Sequence, residues 1–71
     1  MPLNLAEIGK MYAILRIGGT DKTRHHLENL GLVPGRKLEV LSELHGYYIV
    51  CVNDTKIGID KHLAQKVILI A

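Results

Sequence analysis

Five side chains in this sequence could ligate a metal through imidazole nitrogen or thiolate sulfur: His25, His26, His45, His62 and Cys51. A structural zinc site needs four such ligands at defined spacing, and no such spacing occurs. His25 and His26 are neighbours, so on a helix their rings diverge by about 100° and do not converge on one ion. Asp21 and His25 stand four apart and would share a helix face, which gives at most a two-ligand surface site. The expectation is solvated histidines and no resident metal or other cofactor.

Catalysis is equally poorly provided for. Ser42 is the only serine and has no triad partners beside it. There is no carboxylate pair at an acid–base spacing. The stretch "GGTDK" (18–22) has the glycines of a phosphate cradle but not its spacing, and reads as a strand-to-helix turn. An active site also needs a pocket, and a chain of 71 residues has little core to build one from. A non-enzymatic role is expected.

Composition narrows the class further. Apolar residues make up 48% of the chain, yet Trp and Phe are absent and three tyrosines are the only aromatics. The core must therefore be aliphatic. Nine basic and seven acidic side chains leave a net charge of +2, and the Lys and Arg are scattered rather than clustered as in a dedicated nucleic-acid binder. Cys51 stands alone, so the chain has no internal disulfide of the kind that staples small secreted domains. The N-terminal stretch lacks the pattern of a signal peptide, and apolar runs such as 67–71 are far too short to span a bilayer. A cytoplasmic protein forming one domain over 1–71 is the expectation.

The elements that would position these residues are short. "MYAILRI" (11–17) reads as a strand with Tyr12 and Ile14 inward and Arg16 at the edge. The one helix spans "TDKTRHHLENL" (20–30), capped by Thr20 or Asp21, with Thr23, Leu27 and Leu30 on its packed face and Arg24 spaced to pair with Glu28. Then comes "LENLGLVPG" (27–35), where two glycines and a proline interrupt a run of leucines. Gly31 falls just past the last helical leucine, where a left-handed residue closes helices and lets Leu32 fold back as an apolar contact. Pro34-Gly35 fits a turn in which proline presets φ and glycine supplies a positive one. Strands follow at 36–42, 47–53 and 56–60, with "ELHG" (43–46) as a loop and "NDT" (53–55) as a tight turn. One helical turn at 61–66 leads into a last strand at 67–71. Five short strands with one α-helix after the first predict a mostly β protein, a small barrel whose closure removes exposed edges.

Taken in order, "G-x-x-Y-x-I-x-x-I" (9–17), "R-x-x-L-x-x-L-G-L-x-P-G" (24–35), "L-E-V" (38–40) and "I-x-I-x-x-x-x-A-x-x-V-x-L" (57–69) resemble the FeoA family, ferrous iron transport protein A, over essentially the whole chain. The resemblance implies an SH3-like barrel. It also implies a cytoplasmic accessory that binds and modulates FeoB, the membrane ferrous iron transporter with its own GTP-binding domain. The same domain is similar to the C-terminal module of iron-dependent repressors, and without their DNA-binding part a free-standing transport accessory is the expected role. The segment "SELHGYY" departs from the pattern of many members, which carry a longer basic or proline-containing loop there.

A partner surface is therefore the site to look for. If Tyr48, Val50 and Val52 face the core, then Tyr47, Ile49 and Cys51 face outward, opposite a strand whose Gly58 leaves the floor bare. Contiguous exposed apolar surface marks contact sites, unless the lead residues Leu3, Leu5 and Ile8 cover this strip. The strip is expected to anchor the partner, with Arg24 and His25 on the helix flank as a polar rim. The alternative is an SH3-like RNA- or ribosome-binding module, which would need stacking aromatics, and Tyr47 alone is a candidate.

Overall fold

A computed structural model describes residues 1–70; Ala71, the expected last residue of the final strand, lies outside them. A short 3-10 turn (Leu3–Leu5) leads into β1 (Met11–Ile17), α1 (Asp21–Asn29), β2 (Lys37–Leu44), β3 (Tyr47–Val52), β4 (Thr55–Asp60), the single turn α2 (Lys61–Ala64) and β5 (Val67–Ile70). The strands form one antiparallel sheet in the order β4-β3-β2-β1-β5. It curls around a core in which every buried side chain is aliphatic, among them Leu3, Ile14, Leu27, Leu32, Leu38, Val50, Ile59 and Leu69. The SH3-like architecture expected from the sequence is present.

Two irregularities set which residues enter that core. In β1 the register against β5 shifts between Ile14 and Arg16. The extra residue, Leu15, and Arg16 both stay outside, and Ile17 rather than Arg16 follows Ile14 inward. Strict alternation would have buried Arg16, and the bulge avoids that. Tyr12 is half-buried, its hydroxyl accepting from the Glu7 amide at 3.0 Å. In β2 a second shift lies between Val40 and Ser42. Beyond it the strand continues to Leu44, so the expected loop 43–46 shrinks to the two residues His45 and Gly46, with φ of 52° and 83°. The β3–β4 turn is likewise two residues, Asn53 and Asp54, at φ 55° and 61°. Positive φ at both positions is what lets a two-residue turn follow the twist of its strands.

The leucine–glycine stretch works as its spacing predicts, with one change. Thr20 caps α1, its Oγ1 accepting from the Thr23 amide at 3.2 Å. At the other end Gly31 has φ 102°. Its amide donates to the Glu28 carbonyl at 2.9 Å, and the Leu32 amide donates back to Leu27 at 3.1 Å. Leu27 and Leu32 are both fully buried. Leu30, expected on the packed face, instead forms the C-cap and is 37% exposed, because the helix ends one residue earlier and the reversal at Gly31 brings Leu32 inside in its place. Val33 to Arg36 then form a turn, the Arg36 amide donating to the Val33 carbonyl at 3.1 Å with Gly35 at φ 87°. Arg24 pairs with Asp21 rather than with the expected Glu28.

Closure of the barrel is not made by strand pairing, since β4 and β5 end the sheet and do not pair with each other. The N-terminal lead covers β5 instead: Pro2 bridges Ile68, and Met1 and Leu69 exchange backbone bonds. The 3-10 turn touches β5 and α2, and α2 touches β4. Asp60 caps α2, accepting from the Leu63 amide at 2.8 Å. Among the described residues, the outer edge of β4 has no strand partner.

A left-handed φ costs a non-glycine residue about 1–2 kcal/mol, so Gly31→Val should destabilise by that much. In a domain of this size that is on the order of 10 °C in Tm. Gly58→Ala, at an ordinary φ and 3.5 Å from Ile49 Cδ1, should change stability by less than about 0.5 kcal/mol. Thermal unfolding followed by circular dichroism checks both.

Candidate functional site

Alternation along β3 sends Val50 and Val52 into the core and Tyr47, Ile49 and Cys51 to the opposite face. The register builds rows across that outer face: Leu44 and Asp60 flank Tyr47, Ser42 and Gly58 flank Ile49, and Glu39 and Lys56 flank Cys51. Leu44 is 65% exposed and Tyr47 56% exposed, whereas Ile49 and Cys51 are half-buried. The two most open apolar side chains of this face are thus cross-strand neighbours beside the His45-Gly46 turn.

Gly58 does not leave a bare floor. Ile49 lies across it, with Cδ1 3.5 Å from where a Cβ would stand, so the expected groove is filled by its own neighbour. Nor do the lead residues cover the strip as a group. Leu3 is buried in the core, while Leu5 and Ile8 remain exposed, and the 3-10 turn packs on β5 and α2.

Arg24 and His25 lie elsewhere. They sit on α1, whose Leu27 joins the same buried cluster as Val50 and Val52. Leu27 therefore anchors α1 in the core, which lies against the face of the sheet opposite the outer strip. The structure brings Tyr47, Ile49 and Cys51 together and does not join Arg24 and His25 to them. Leu44 was missed because "ELHG" reads as a loop. The signal was there in Gly46, a single turn glycine with alternating residues running up to it.

No group of three or more His, Cys, Asp or Glu gathers among the described residues, and the Asp21 carboxylate, one half of the two-ligand possibility with His25, is taken by Arg24. One open depression lies between Met11 and Ile70, with the Glu7–Lys10 ion pair (3.1 Å) at its rim. That pair is exposed on both sides, the kind worth about 0–1 kcal/mol, and it places no acid or base against a bound molecule. No helix among the described residues is long and apolar enough to cross a membrane.

A curled five-stranded sheet with one helix and an apolar outer row defines a small SH3-like module. The model of the FeoA domain matches residues 1–70, and the chain belongs to the FeoA family, which is associated with ferrous iron transport. Among solved structures, an iron uptake regulatory protein (FeoA) is 30% identical, with a TM-score of 0.90 over 97% of this chain and 93% of that one. The FeoA protein from Chlorobium tepidum is 24% identical, with a TM-score of 0.88 over 97% and 68%. A manganese-dependent transcriptional repressor contains the same fold in part of its length, at 19% identity and a TM-score of 0.84 over 99% of this chain and 41% of that one. No curated protein matches the chain.

With no converging ligands, folding should not depend on metal. Chelator treatment is expected to leave the far-UV circular dichroism and Tm unchanged, and metal analysis should find less than one equivalent bound.

Proposed function

We propose that this chain is a cytoplasmic accessory of ferrous iron uptake that binds the FeoB-type membrane transporter and modulates its GTP turnover, without chemistry of its own. Membership of the FeoA family supports the iron-transport setting. The observation that carries the binding role is the outer row in which Leu44 and Tyr47 stand exposed side by side beyond Ile49 and Cys51. Fully burying one large apolar side chain contributes about 1.5–3 kcal/mol, and the exposed part of Leu44 and Tyr47 is what a partner would gain. Ile49 and Cys51 are already half-covered and supply shape more than energy.

Arg24 and His25, on the other side of the sheet, would form a separate polar contact rather than a rim. Arg24 is already paired with Asp21, and exposed ion pairs add about 0–1 kcal/mol. Modulation follows from differential affinity: a module that binds one conformation of the transporter better than another shifts the population by that difference. RNA binding gains little from the structure, since Tyr47 is the one exposed aromatic while the hydroxyls of Tyr12 and Tyr48 are tied to the lead segment.

The test is binding to membranes containing the transporter. Leu44→Glu and Tyr47→Glu, both folded by circular dichroism, should each weaken binding roughly tenfold, about 1.4 kcal/mol. Arg24→Glu should weaken it no more than about threefold. Undiminished binding by Leu44→Glu would overturn the outer row as the anchor.

A further inference from the structure

The open edge of β4 has a pattern of its own. The two-residue turn at Asn53-Asp54 makes Val52 and Thr55 a hydrogen-bonded pair. Alternation then turns the backbone groups of Thr55, Ile57 and Ile59 toward β3 and those of Lys56, Gly58 and Asp60 toward the open side. The edge is bounded by the turn at one end and by α2, which begins at Lys61, at the other. Gly58 is its midpoint. Lys56 and Gly58 are exposed and Asp60 is half-exposed.

We propose that β4 pairs with β4 of a second copy of this chain, antiparallel, about a two-fold axis through Gly58. In that register Gly58 faces its own symmetry mate, with no side chain to hold the strands apart. Lys56 of each copy stands opposite Asp60 of the other, giving two symmetry-related ion pairs. Ile57, half-buried in one copy, comes beside Ile59 of the second on the core-facing side. Lysine on an edge strand ordinarily repels an added strand; here each one meets a carboxylate. Asp60 has an oxygen to spare, since only Oδ1 caps α2.

Neighbouring registers lack this complementarity. Centring the axis on Ile57 sets Asp54 opposite Asp60 twice. Centring it on Ile59 sets Lys56 opposite His62, where the strand has already become helix. Only the axis at Gly58 opposes unlike charges and uses the whole edge. The seam joins the outer faces of two copies, so the Tyr47 and Ile49 rows continue across it.

An interface of one short strand pair is smaller than standard, so the association belongs to the weak class. Sedimentation equilibrium of the whole chain from about 10 μM to about 1 mM, a range suited to such interfaces, should show the weight-average mass rising toward that of a dimer. Two variants should remain monomeric throughout: Lys56→Glu, which sets like charges against Asp60, and Gly58→Pro, which removes an edge amide without touching the β3 ladder. Leu44→Glu should dimerise as the unaltered chain does, separating this seam from the transporter contact. Amide resonances of Lys56, Gly58 and Asp60 should shift with protein concentration. If Gly58→Pro does not fold, Lys56→Glu and the amide shifts decide. A chain that stays monomeric to the top of the range overturns the proposal, as does a dimer that survives Lys56→Glu. Shifts at this edge that appear only when transporter membranes are added would assign it to a partner strand and overturn self-pairing.

Discussion

The bond from the Leu32 amide back to the Leu27 carbonyl is the constraint on which the rest of the domain depends. It holds two fully buried leucines against each other across a reversal that only a left-handed residue permits. A core without Phe or Trp gathers its burial from many medium-sized side chains, and losing the pair would open a gap no large ring could fill. The same reversal aims the chain into β2. From there the Gly35 amide donates to the Ile14 carbonyl at 2.7 Å, and the Ile14 amide donates to the Arg36 carbonyl at 2.9 Å. Since β2 is the central strand, the registers of β1 and β3 against it are set from this point.

Two bulges then convert an alternating pattern into a curled wall. Each inserts one residue into a strand and reverses which face the following side chains occupy. In β1 this keeps Arg16 in water and brings Ile17 inside. In β2 it carries the strand out to Leu44, which sets that leucine beside Tyr47. The apolar outer row is thus a by-product of how the sheet bends around an aliphatic core, and the candidate contact surface and the core share one cause.

Features written into single residues or short spacings were legible in the sequence. Thr20 as a cap, Gly31 as a helix stop, the proline–glycine turn and the order of strands all express local backbone preferences. Outward placement of Tyr47, Ile49 and Cys51 follows from alternation alone. Illegible features depended on a partner strand or on competition between neighbours. A bulge appears only when two strands are laid side by side, so the length of β2 was underestimated and Leu44 went unseen. Arg24 had two acidic residues in reach and took Asp21, in the first turn of the helix. Sequence spacing also does not reveal that Arg24 and His25, on α1, stand apart from Tyr47, Ile49 and Cys51, because that separation arises only when Leu27 is buried in the core.

The clasp between Met1 and Leu69 brings the two ends of the described chain to a single rung at one margin of the sheet. Polypeptide entering and leaving there need not cross the molecule or stretch around it. A fold arranged this way can be spliced into a longer chain as a self-contained bead, its neighbours attached at adjoining points.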